Sequence, residues 1–139
     1  IEEGKLLHEI FKSIKSISDI NQAVRQAYLE GLINKGEEAT YRAKILDYLN
    51  TPIASEWFAE DCSVITEKDI LFPGGKKARP DRVIFKNGIL QIIDYKFGQS
   101  EESKYLKQVR FYYNTLYKMG YKKIEGYVWY VKLGRIVKV

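Results

Sequence analysis

The chain contains little cysteine: one residue, Cys62, among 139. A single thiol excludes an internal disulfide framework and a four-cysteine iron–sulfur cluster. Cys62 therefore reads as a small buried residue. No stretch approaches the ~20 apolar residues of a transmembrane helix. No signal peptide opens the chain, so the expected setting is cytoplasmic, with no membrane partner. No phosphate-binding GxxxxGK[ST] loop occurs, and Gly74-Gly75-Lys76 is too short a match to count. Any ATPase is expected elsewhere. Internal repeats and low-complexity runs are absent. The first residues, Ile1-Glu2-Glu3, include no initiator methionine, so a piece of a longer protein is expected.

What is present suits one small domain. The chain is 45% hydrophobic and 14% aromatic, enough for a real core. There are 23 Lys and Arg against 18 Asp and Glu, a net charge of +5. That balance mildly favours an anionic partner such as nucleic acid, and it also fits ordinary surface charge.

The first half has helical periodicity. Leu6, Leu7, Ile10, Phe11, Ile14 and Ile17 recur at helix spacing, with His8 beside the stripe. Asp19 is the expected N-cap of a second helix reaching about Leu32. A third is expected over Glu37 to Leu49, with Ala43, Leu46 and Leu49 as its apolar positions. Thr51-Pro52 starts a short helix carrying Trp57 and Phe58.

The period then shortens to that of strands. Ser63 to Thr66 is an expected strand, with Asp69 to Leu71 continuing it after a kink. Two apolar runs, Val83-Ile84-Phe85 and Ile89-Leu90-Gln91-Ile92-Ile93, flank Asn87-Gly88, a strong hairpin signal. A basic, aromatic helix is expected from Glu102 to Met119, closed by Gly120. Gly126 to Val131 reads as a strand, with Gly134 to Val139 able to pair with it. The order implies an α/β fold: a mixed central β-sheet flanked by helices.

A two-residue turn at Asn87-Gly88 fixes the register. Lys86 then pairs with Ile89, and Asp81 falls opposite Asp94, with Cβ atoms roughly 5 Å apart. Lys96 lies two residues past Asp94, on the same face. Two carboxylates that close repel unless a proton or cation sits between them. All-oxygen ligation suits Mg²⁺ or Mn²⁺, and a lysine beside it can stabilise charge on phosphate. The competing reading is a salt-bridged hairpin in solvent.

Pro80-Asp81 with Asp94-Tyr95-Lys96 resembles the signature of the PD-(D/E)XK nuclease clan. The likeness extends to its RecB-like exonucleases in three further places. These are Gly4-Lys5-Leu6-Leu7-His8, the pair Asp81-Arg82, and Gln108-Val109-Arg110-Phe111-Tyr112. The elements run in the family's order from Gly4 to the strand near Tyr130. The resemblance implies a restriction-endonuclease-like core with a helical N-terminal half, in one domain over 1–139: helical over 1–60, sheet over 61–139.

It also implies roles. His8, Asp81, Asp94 and the Tyr95 carbonyl hold Mg²⁺ or Mn²⁺. Lys96 positions the attacking water, and Gln108 and Tyr112 lie beside the reacting phosphate. Glu67 is a weaker candidate acid. Arg79, Arg82, Lys76 and Lys77 are expected to grip the DNA backbone without reading bases, whereas Val109 and Phe111 are expected to pack against the sheet. The Tyr95 ring should face away from Asp94. The expected activity is exonucleolytic hydrolysis of DNA, single-stranded or at duplex ends, beside a helicase domain or subunit of the parent protein in double-strand-break repair and recombination. The alternatives are a stand-alone phage or CRISPR-type nuclease, and a non-catalytic DNA-binding or interaction module on the same fold.

Overall fold

A computed structural model describes residues 1–66, 69–74 and 78–139. Glu67, Lys76 and Lys77, singled out above, lie outside the described residues. The chain divides into two compact units, Ile1–Cys62 and Ser63–Val139.

The first unit is helical. Helix α1, Glu3–Lys12, buries Leu6, Leu7, Ile10 and Phe11. A 3₁₀ turn at Ile17–Asp19 leads into α2, Ile20–Leu29, which buries Ile20, Ala23, Val24 and Ala27. Asp19 does not cap α2 with its side chain. Its carboxylate instead accepts the Lys15 and Ser16 backbone N–H groups at 2.9 and 3.1 Å, closing the preceding turn. Helix α3 covers Glu38–Leu49 and α4 covers Ala54–Trp57. The apolar stripe of α3 differs from expectation. Tyr41, Ile45 and Leu49 are buried at i, i+4 and i+8, while Ala43 and Leu46 face solvent. Tyr41 can take an inward position because its hydroxyl donates to Glu3 Oε2 at 3.3 Å.

The second unit is a five-stranded sheet in sequential order. Strands β1 (Ser63–Val64), β2 (Arg82–Lys86) and β3 (Ile89–Lys96) pair antiparallel. Helix α5, Ser103–Lys118, carries the chain across to β4, Ile124–Tyr130, which pairs parallel with β3. Strand β5, Arg135–Lys138, returns antiparallel to β4. This mixed sheet with flanking helices and a helical N-terminal part is the expected α/β class. Asp69 to Leu71 is not a strand: Asp69 Oδ2 accepts the Thr66 N–H and hydroxyl at 2.9 and 3.0 Å, turning the backbone.

Asn87 and Gly88 both have positive φ, 53° and 80°, as a type I′ turn requires. The β2–β3 register follows: Lys86 pairs with Ile89 and Arg82 with Ile93. On one sheet face Val83, Leu90, Ile92, Val128 and Tyr130 pack with Val109, Tyr112 and Leu116 of α5. Gly126 lies under that helix. A Cβ there would stand 2.8 Å from Val109 Cγ1, so glycine is what lets α5 sit this close to the sheet.

Candidate active site

The β2–β3 ladder stops at Arg82 and Ile93. One step beyond, carboxylates replace carbonyls as the acceptors. The Asp81 N–H donates to Asp94 Oδ1 at 3.0 Å, and the Tyr95 N–H donates to Asp81 Oδ2 at 2.8 Å. Each acid is thus clasped by the other strand's backbone. In an extended strand a residue's C=O projects to the same edge as its N–H, so the Tyr95 carbonyl is directed toward the Asp81 side.

Asp94 is only 3% exposed. Burial, then the neighbouring Asp81 charge, push its carboxyl up to about 7. The Asp81 N–H and the Lys96 ammonium pull the other way and do not prevail. The two carboxyl groups also hydrogen-bond each other, which raises the Asp94 carboxyl further.

Lys96 stands at the mouth of this pair. Its Nζ is 3.7 Å from Asp94 Oδ2 and donates to Gln108 Oε1 at 3.2 Å. It also lies 4.5 Å from the centre of the Tyr105 ring, a cation–π distance. Tyr105 is itself anchored, its hydroxyl donating to Glu102 Oε2 at 2.8 Å. Sequence reading missed Tyr105 as part of the site. The available signal was its position three residues before Gln108 on the same helix.

Tyr112 is buried, and its ring meets Phe72 edge-on at 6.2 Å. Burial, then the charges of Asp94 and Asp81, push its hydroxyl up to about 12, while a hydrogen bond with Gln108 pulls it down. The expected group Asp81, Asp94, Lys96, Gln108 and Tyr112 therefore does converge.

Other residues have different surroundings. The Tyr95 ring lies on the opposite sheet face, 5.8 Å from that of Trp129. Arg82, only 5% exposed, neighbours the Tyr95 hydroxyl, a position unsuited to gripping DNA. The Arg79 guanidinium donates to the carbonyls of Ile70 and Ile65 at 3.0 and 2.9 Å. It staples its loop rather than presenting itself to phosphate. Phe111 does not pack on the sheet: it is 60% exposed. His8 is half-buried in α1, within the helical unit.

Among the described residues, no group of three or more histidine, cysteine or acidic side chains is arranged to hold a metal ion. The Asp81–Asp94 pair with the Tyr95 carbonyl offers oxygen donors alone. Two acids this close, one of them buried, are a suitable place for a hard divalent cation, which would offset their mutual repulsion.

A mixed sheet whose central hairpin ends in two clasped acids and a lysine defines a nuclease-type α/β domain. The sequence model of the PD-(D/E)XK nuclease superfamily matches residues 1–138, and the chain belongs to that superfamily. A search of curated proteins gave no match.

Proposed function

We propose that this domain hydrolyses DNA phosphodiester bonds with Mg²⁺ or Mn²⁺, as a RecB-like exonuclease working beside a helicase in double-strand-break repair and recombination. The observation that carries the proposal is the reciprocal clasp of Asp81 and Asp94 with Lys96 at its mouth. Superfamily membership supports the nuclease chemistry. The Gly4–His8 and Gln108–Tyr112 motifs support the RecB-like subtype.

Asp81, Asp94 and the Tyr95 carbonyl are the proposed ligands. When bound, a hard divalent ion polarises a phosphoryl oxygen and lowers the pKa of water. The protein groups supply the rest. Lys96 directs a positive charge to where negative charge develops on phosphate. Gln108 and the Tyr105 ring hold that ammonium in place. Tyr112 keeps its proton at neutral pH and can donate it in a hydrogen bond to a phosphate oxygen. Water attacks in line, leaving a 5′-phosphate and a 3′-hydroxyl.

The test is digestion of linear single-stranded, linear duplex and covalently closed circular DNA with Mg²⁺ or Mn²⁺, beside Asp94→Ala and Lys96→Ala proteins. Metal-dependent degradation that spares closed circles and disappears in both variants is expected. Equal degradation of closed circles would remove the exonuclease assignment. Cleavage that survives in both variants would remove the site.

A further inference from the structure

The exposed face of α5 has no use in the chemistry above, and its composition is one-sided. Within α5 there are four cations, Lys104, Lys107, Arg110 and Lys118, and no acid. Lys104 also pairs with Glu102, at the helix N-cap, at 3.5 Å, an exposed contact that a phosphate can replace. Three of the cations fall on one stripe. Lys104, Lys107, Phe111 and Lys118 follow at intervals of three, four and seven residues, which keeps them on one side of a helix. All four are exposed. The stripe spans about 21 Å at the helical rise per residue.

Phe111 interrupts these lysines, and for a large apolar side chain its exposure is high, 60%. Its neighbours connect it to the site. Gln108, one turn earlier, accepts the Lys96 hydrogen bond. The Phe111 ring is 6.3 Å from the ring of Tyr112, the residue that feels both aspartate charges. An aromatic face flanked by cations and open to water suits a chain of phosphates carrying unpaired bases. A base inside a duplex has its faces covered by its stacking neighbours and offers nothing to such a ring.

We infer that α5 is a track for single-stranded DNA, with Phe111 stacking on a base next to the reacting phosphate while Lys104, Lys107 and Lys118 follow the backbone. The inference rests on the nuclease assignment above and adds the form of the substrate: the strand reaches the site unpaired. Sequence preference is weak, because every base has a face to stack.

The test is equilibrium binding, without divalent ion, of a short fluorescent oligothymidylate and of an abasic oligomer of equal length and charge. Wild-type protein should bind the thymidylate at least fivefold more tightly, since one stacked base contributes about 1–3 kcal/mol. Phe111→Ala should bind both oligomers alike, at the wild-type level for the abasic one. Phe111→Trp should restore the preference. The ring is exposed, so the alanine variant should melt like the wild type, which shows that it folds. A Phe111→Ala protein that keeps the preference for bases overturns the track, and so does one that loses affinity equally for both oligomers. Binding is scored without metal, so this result is separate from that of digestion. A protein that shows the Phe111-dependent preference and never cleaves would retain the track and lose the hydrolysis.

Discussion

Asp94 is a carboxyl group kept from water beside a second acid, and both facts act on stability. Its pKa is pushed up to about 7 in the folded chain, against ~4 for an ordinary aspartate. The folded state therefore holds this proton more tightly than the unfolded chain does. The contribution of Asp94 to stability is complete below about pH 4 and is lost as pH rises to 7. Across three pH units the loss is on the order of 2–4 kcal/mol. For a chain of this size that is a fall of roughly 5–15 °C in melting temperature. Asp94→Asn keeps an oxygen to accept the Asp81 N–H and never ionises. The metal-free variant should lack this fall between pH 4 and 7 and melt above the wild type at pH 8. Adding Mg²⁺ or Mn²⁺ at pH 8 should raise the wild-type melting temperature and leave the variant unmoved. An equal pH slope in both proteins would show that burial of Asp94 is not the cause.

At the scale of elements, the site is assembled by two strands and one helix, and the helix is the adjustable part. Asp81, Asp94 and Lys96 are fixed by the hairpin register, whereas Gln108 and Tyr112 depend on how closely α5 lies on the sheet. Gly126 sets that distance. Alanine there meets Val109 Cγ1 at 2.8 Å and Ile92 Cγ1 at 3.4 Å, and a β-branched valine has little rotamer freedom to yield. Gly126→Ala should cost about 1–3 kcal/mol and cut cleavage by shifting Gln108 away from Lys96. Val109→Ala in the same chain should recover most of both losses. Unfolding and cleavage rates measured on the three proteins decide it, and a single variant indistinguishable from wild type would remove Gly126 from this role. The hairpin was legible in sequence because its determinants are local: Asn87-Gly88 sets the turn and a period of two carries the register out to Asp81. The inward face of α3 was less legible. Tyr41 goes inside because it finds Glu3, a partner distant in sequence. Arg82 was misjudged and Tyr105 missed for the same reason, since burial and ring contacts arise only when elements meet.

For the whole molecule, the net charge of +5 hides a division. The helical unit, Ile1–Cys62, has 7 cations and 11 acids, a net of −4. The sheet unit, Ser63–Val139, has 16 cations and 7 acids, a net of +9. A polyanion is thus attracted by the unit that carries Asp94 and Lys96, and the local field exceeds what the total suggests. The salt dependence of DNA binding measures how many cations take part. Three lysines of the α5 stripe, each neutralising one phosphate of a single strand, give a slope of log affinity against log salt of about −2. Lys107→Ala with Lys118→Ala should flatten that slope by about 1.4 and weaken oligothymidylate and abasic oligomer alike, because backbone contacts carry no base information. Lys35→Ala in the acidic unit should leave the slope unchanged. If the paired α5 substitutions also leave it unchanged, the phosphates are gripped elsewhere on the sheet unit. The two sets of variants then separate two jobs on one helix. Phe111 changes affinity only where bases are present, and the lysines change it only as far as salt allows.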